Sequence, residues 1–280
     1  MTETRAVVSH NVIAMRAEPR GRAEQISQAI FGETVRVLRD EGEYTEINTP
    51  DNYQGWALTR HLAVLETGER YPDPTRAAMV APLFLPVFKQ EFGQSERLTL
   101  LTLGTAVELG VGDPNEPYYP IRMPNGSDGY LEANSLIIPQ YPFRENLGPN
   151  LAIVAKGWIG VPYEWGGRTP FGIDCSGFVQ RVYWLCGHVI PRDAYQQARW
   201  EQFDPVERGD LQAGDLIFFA GAKDPRGRIV THVGMALGDG RFIHACSDQG
   251  VAITPLEEEP YNSEYWGSRR LSLIPPPPEP

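Results

Sequence analysis

Cys175 sits in the run Gly172-Ile173-Asp174-Cys175-Ser176-Gly177-Phe178-Val179. From Phe178 onward, the apolar residues Phe178, Val179, Val182, Tyr183 and Cys186 recur at spacings of three and four. This predicts an amphipathic helix with Asp174 as its cap and Gly187 as its stop. A thiol in the first turn would meet unpaired backbone N–H groups and the positive end of the helix dipole, both of which favour thiolate. A small buried hydrophobe is the other fate of such a cysteine. Of the five histidines, His10, His61 and His188 lie in polar or loop-like surroundings and read as surface residues. His232 and His244 instead lie inside short apolar segments that read as strands. A strand histidine is commonly a hydrogen-bonded core residue. Two of them beside a capped cysteine could also serve as base and orienter in acyl transfer.

The two histidine strands read as a hairpin over 229–236 and 241–245, broken at Gly238-Asp239-Gly240. A loop with an odd number of residues places both imidazoles on one face of the sheet, and a two-residue turn at Asp239-Gly240 places them on opposite faces. The expectation is the odd loop with its turn centred on Gly238. His232 and His244 would then be directly opposed, with Cβ atoms about 4.5–5.5 Å apart.

The elements that must carry these residues follow from the rest of the segment beginning near Asn146. Residues 151–159 read as a helix, Val161 to Gly167 as an irregular loop, and Asp193 as the cap of a second short helix. Ala213-Gly214-Asp215 then turns into the strand Leu216-Ile217-Phe218-Phe219. Helices first and antiparallel strands after indicate an α+β domain. Upstream, residues 5–66 break into short strand-like segments separated by Gly32, Gly42 and Asp51-Asn52, which makes a small barrel. Beyond the turn-rich linker Tyr71-Pro72-Asp73-Pro74 the pattern returns from Ala77 to Ile138 and reads as a second, divergent barrel, the alternative being an insertion that extends the first. The expected domains are 1–70, 75–140 and 146–274, with boundary prolines at Pro139 and Pro142 and an extended proline-rich tail at 275–280.

Composition bounds the function. Lys+Arg 25 against Asp+Glu 36 gives a net charge of −11, and no basic run is present, so nucleic acid is not an expected partner. Three cysteines without CxxC or Cys/His ligand spacing indicate neither a disulfide framework nor a structural zinc site. No apolar span of membrane length appears, and no membrane partner is expected. The reading is a cytoplasmic thiol enzyme, or an exported one if a leader has been removed ahead of Met1. The oligomeric state is open.

The order and spacing of Tyr163-Glu164-Trp165-Gly166-Gly167, Asp174-Cys175-Ser176-Gly177-Phe178, Pro191-Arg192-Asp193, Ala213-Gly214-Asp215-Leu216, Thr231-His232-Val233-Gly234 and Ile243-His244-Ala245 resemble the NlpC-type cysteine peptidases. The resemblance runs from about Asn146 to Leu271 and implies a papain-like α+β fold. Upstream, Tyr53-Gln54-Gly55-Trp56 and its surroundings resemble bacterial SH3-like domains. The whole chain is therefore similar to the YkfC-like members, which cleave between γ-D-glutamate and the L-diamino acid of cell-wall stem peptides.

By that resemblance Cys175 is the nucleophile, His232 the base and His244 the orienting residue. Tyr163 would place its hydroxyl at the oxyanion, unless it is a core aromatic of the loop. Asp174, Ser176 and Asp193 would hold the substrate's backbone and free amino terminus, although Asp174 reads equally well as a helix cap alone. Tyr53 would close one end of the groove, and Glu24, rather than its neighbours Glu18 and Glu33, would be the accompanying acid. Where the family often has Arg-Asp-Ser, this chain has Arg192-Asp193-Ala194, which removes one hydroxyl contact. The implied substrate is a murein-derived tripeptide or tetrapeptide with a free L-Ala amine, and no metal or organic cofactor is implied. A non-catalytic wall-binding module and a different thiol amidase or acyltransferase are the alternatives.

Overall fold

A computed structural model describes residues 4–91, 95–113, 115–138, 145–221 and 229–272. Pro139, Pro142 and the 275–280 tail lie outside the described residues. The chain forms two compact units, one made of 1–140 together with 165–170 and the other of 141–164 together with 171–280.

In the first unit, β1 (Arg5–Val8), β2 (Val12–Arg16), β3 (Gln25–Ile30), β4 (Thr34–Asp40), β5 (Tyr44–Asn48), β6 (Gln54–Leu58) and β7 (Leu62–Val64) form one sheet. Its order is β3-β2-β6-β5-β4-β1-β7. Alternate residues point inward, so Ile13 and Met15 of β2, Val35 of β4 and Ile47 of β5 meet in one cluster, with Tyr53 packed at its edge. β8 (Ala77–Val80), β9 (Phe84–Phe88), β10 (Arg97–Thr102), β11 (Ala106–Leu109), β12 (Tyr118–Arg122), β13 (Asp128–Glu132) and β14 (Leu136–Ile137) form a second sheet. Its order, β10-β9-β13-β12-β11-β8-β14, repeats the first strand for strand.

The two sheets share a core. Val7 and Phe31 of the first pack with Leu85, Val87, Leu101 and Leu131 of the second, and Tyr71 is buried among them. The Tyr71 hydroxyl donates to the Arg122 carbonyl at 2.8 Å, and its carbonyl accepts from Thr34 Oγ1 at 2.8 Å. The stretch expected to be a linker is thus anchored at its first residue.

The first unit also holds 165–170, including β15 (Arg168–Thr169). Arg168 is buried and forks onto Glu33 at 3.1 and 3.2 Å, while its Nη1 donates to the Gln28 carbonyl at 2.7 Å. A planar guanidinium is suited to this arrangement because its donors match a carboxylate in pairs.

The second unit contains α1 (Leu147–Lys156), β16 (Gly172–Ile173), α2 (Cys175–Leu185), α3 (Ala194–Gln197), β17 (Phe203–Val206), β18 (Leu216–Phe219), β19 (His232–Ala236), β20 (Arg241–Cys246), β21 (Gly250–Pro255), α4 (Tyr261–Glu264) and β22 (Tyr265–Leu271). The sheet is antiparallel in the order β17-β22-β18-β19-β20-β21. α1 starts a turn earlier than its apolar pattern suggested. Trp158, just past its end, lies edge-on to Phe178 of α2, with centroids 6.4 Å apart, and this packs the two helices' buried faces together.

Candidate active site

Asp174 caps α2 as expected, its Oδ1 accepting from the Gly177 N–H at 2.7 Å. The helix ends after Leu185, and Gly187 takes a left-handed φ of 83° that residues with a side chain rarely adopt. Cys175 is therefore the first helical residue, and its burial has a consequence that the pattern alone did not show. Burial pushes the thiol up to about 12, the Asp174 charge adds to this, and the backbone N–H groups of Val233 and Ser176 act the other way. A helix terminus is worth about 0.3–1 kcal/mol, less than one pKa unit, so desolvation wins. Burial thus opposes the helix turn's preference for thiolate.

The Val233 N–H that reaches this sulfur belongs to the residue after His232. β19 and β20 pair Met235 with Ile243 and Ala236 with Phe242, and the Leu237 N–H donates to the Arg241 carbonyl at 2.9 Å. The loop is the odd one, Gly238 to Gly240, and both imidazoles lie on one face. Its centre, however, is Asp239 rather than Gly238. The histidines are two residues out of direct opposition and meet diagonally, within the reach of long side chains.

Extending the register puts Gly234 opposite His244. A Cβ there would stand 2.5 Å from the Phe242 ring and 3.1 Å from the His244 Cβ. The missing side chain lets the His244 ring lean toward His232, giving His232 Nε2 to His244 Nδ1 at 2.8 Å with ring planes 82° apart.

This bond leaves His232 Nδ1 as the nitrogen that can take the thiol proton. Burial lowers His232 to about 4, and burial together with the His232 charge lowers His244 in the same direction. The cause is visible in the packing. Phe242 lies 4.5 Å and Tyr261 4.9 Å from the His244 ring, and Phe219 lies 5.8 Å from the His232 ring. Both imidazoles are neutral near pH 7, so His232 Nδ1 is free of a second proton and can accept one.

Tyr163 is brought beside the nucleophile by a parallel bridge to Ile173, two residues before Cys175. The Ile173 N–H donates to the Pro162 carbonyl at 3.0 Å and the Glu164 N–H to the Ile173 carbonyl at 3.2 Å. Gly172 permits this approach, since a Cβ on it would stand 2.5 Å from that of Glu164. Burial, then the charges of Cys175 and Asp174, raise the Tyr163 hydroxyl well above its ordinary value. It stays a hydrogen-bond donor throughout the useful pH range.

Asp174 and Ser176 are tied to a residue whose part the sequence did not reveal. Arg192 is 1% exposed and forks onto Asp174 at 2.6 and 3.0 Å, while its Nη1 also donates to Ser176 Oγ at 2.9 Å. Asp193 opens α3 in a capping box, its N–H donating to Gln196 Oε1 at 3.2 Å. The available signal was an arginine, Arg192, directly beside the candidate binding acid Asp193.

Tyr53 and Glu24 belong to the first unit. There Glu24 Oε1 accepts from Trp165 Nε1 at 3.0 Å. Of the neighbouring acids, Glu33 holds Arg168 and Glu18 pairs with Arg20 at 2.9 Å.

A capped cysteine on a helix, set against a hydrogen-bonded histidine pair on an antiparallel sheet, defines a papain-like thiol peptidase site. Residues 160–270 match the NlpC/P60 family, and residues 15–62 match the bacterial dipeptidyl-peptidase Sh3 domain. The chain is 31% identical over 255 residues to a gamma-D-glutamyl-L-lysine dipeptidyl-peptidase of Bacillus cereus, covering 87% of this chain and 74% of that protein. It is 30% identical over 255 residues to a Bacillus subtilis protein of the same name, covering 87% and 80%. The crystal structure of an NlpC/P60 family protein from Bacillus cereus matches at a TM-score of 0.80 and 24% identity, covering 96% of this chain and 99% of that one. The chain belongs to the NlpC/P60 family of cysteine peptidases.

Proposed function

We propose that this protein is a cysteine endopeptidase that hydrolyses the γ-D-Glu–L-diamino acid bond of murein-derived tripeptides or tetrapeptides bearing a free N-terminal L-Ala. The observation that carries the chemistry is the 2.8 Å bond between His232 on β19 and His244 on β20. His232 Nδ1 takes the Cys175 proton as sulfur attacks the γ-carbonyl. The Cys175 backbone N–H and the Tyr163 hydroxyl receive the oxyanion. The proton then passes to the departing amine, and water attacking the thioester regenerates the thiol.

Substrate selection rests on carboxylates and on the first barrel. Asp193 replaces the water shell of the ammonium, Asp174 and Ser176 hold the peptide backbone from positions fixed by Arg192, and by the family resemblance Glu24 and Tyr53 of the first barrel take part in recognising the amine. The similarity to the two dipeptidyl-peptidases supports this choice of bond, because it extends over the barrels as well as the catalytic segment. The second sheet, with its repeated strand order, is a divergent SH3-like barrel. Selection for a free amine suits a cytoplasmic enzyme that recycles released peptides.

Charge-assisted bonds of this kind contribute about 1.5–3 kcal/mol. Glu24→Gln should therefore cut the preference for L-Ala-γ-D-Glu-L-Lys over its N-acetylated form by about tenfold or more, measured as the ratio of kcat/KM values. An unchanged ratio would remove Glu24 from amine recognition.

A further inference from the structure

The histidine pair does not end at His244. His244 is fully buried, and its second ring nitrogen, Nε2, lies 3.0 Å from Oγ1 of Thr254, which is 8% exposed. The placement follows from register. β20 and β21 pair His244 with Ala252 and Phe242 with Thr254, so Thr254 is again two residues out of opposition and on the same face. His232, His244 and Thr254 thus form a diagonal row across three neighbouring strands, joined by bonds of 2.8 and 3.0 Å.

A row of two neutral imidazoles and a hydroxyl has two self-consistent proton orders. In the first, Thr254 Oγ1 accepts from His244 Nε2–H, bare His244 Nδ1 accepts from His232 Nε2–H, and His232 Nδ1 is bare. In the second, Thr254 donates to His244 Nε2, His244 Nδ1–H donates to His232 Nε2, and His232 Nδ1 carries the proton. Only the first leaves His232 able to take a proton from Cys175. It also leaves the imidazolium's Nε2–H with an acceptor, whereas the second would set two N–H groups against each other.

We propose that Thr254 is a positioning residue whose Oγ1 gives the buried His244 Nε2–H the acceptor that the first order requires, so that the tautomer of the base is supported from two strands away. The proposal deepens the reading of His232 as base and rests on it. The carrying observation is the continuous hydrogen-bonded row, and the chemistry is the one by which an orienting group fixes the tautomer of a catalytic histidine.

The test compares wild type, Thr254→Val, which keeps the shape and removes the hydroxyl, and Thr254→Ser, which keeps the hydroxyl. Imidazole 15N shifts report the tautomers without substrate, and hydrolysis of L-Ala-γ-D-Glu-L-Lys reports kcat and KM. Expected are bare Nδ1 atoms on both histidines in wild type and Thr254→Ser. In Thr254→Val the tautomers mix and kcat falls about tenfold or more, with KM within about twofold. Unchanged tautomers in Thr254→Val would overturn the proposal. So would an equal loss of kcat in Thr254→Ser, which would assign the effect to packing. If wild type cleaves no γ-glutamyl peptide, the substrate reading fails while the 15N shifts still decide the role of Thr254.

Discussion

Cys175→Ser is expected to keep the native fold and to turn over substrate at less than about a hundredth of the wild-type rate, because loss of a nucleophile costs several orders of magnitude. The serine fits a site built for a thiol, but its hydroxyl is a far weaker nucleophile, and a neutral imidazole lowered to about 4 is a poor base for it. Cys186→Ala and Cys246→Ala stay active, since neither sulfur lies on the helix turn that faces β19. The pH dependence of alkylation separates this site from a thiolate–imidazolium pair. With the thiol pushed up to about 12, lowering the pH removes thiolate, so iodoacetamide reacts slowly with Cys175 at pH 6. Raising the pH from 6 to 9 increases the rate about tenfold per unit. A pre-formed ion pair would instead react at a rate nearly independent of pH over that range.

Arg192→Met has the largest expected effect on stability, about 3–5 kcal/mol, which is the usual cost of removing one partner of a buried ion pair. It leaves the Asp174 carboxylate buried without its fork, at the residue that caps the catalytic helix. Arg192→Lys falls between, because one ammonium cannot reproduce the paired bonds to Asp174 and Ser176. Asp174→Asn combined with Arg192→Met recovers part of the loss, since the carboxylate charge is removed along with its partner. Urea unfolding midpoints of the four proteins provide the check. Equal midpoints for wild type and Arg192→Met would assign the cap's stability to the Gly177 bond alone.

The sequence made legible what is local or periodic. Asp174, the apolar face of α2 and Gly187 specify a capped helix, and the glycines between the histidine strands specify an odd loop. What stayed hidden depends on pairing between distant segments. The diagonal offset of His232 and His244 comes from a register centred on Asp239, and no local pattern distinguishes that centre from Gly238.

β22 lies inside the sheet but does not show a strand's pattern, because its Ser268, Arg269 and Arg270 break the apolar alternation. Those residues have partners elsewhere, Arg270 pairing with buried Asp215 at 2.7 Å and Arg269 donating to the Ala198 carbonyl at 2.9 Å. Likewise, 165–170 falls between Tyr163 and Cys175 in the chain but packs with the first sheet through Arg168 and Glu33. Its partner is 135 residues away, and nothing in the intervening composition marks the pair.

The central claim is that Cys175, based by His232, cleaves a γ-D-glutamyl bond. Its most direct test is mass spectrometry of the products after incubating the full chain with L-Ala-γ-D-Glu-L-Lys and, separately, L-Ala-γ-D-Glu-meso-diaminopimelate. The predicted result is the dipeptide L-Ala-D-Glu together with the free diamino acid from at least one of the two, absent when Cys175→Ser replaces wild type. Intact tripeptide from both, or cleavage between L-Ala and D-Glu, would contradict it.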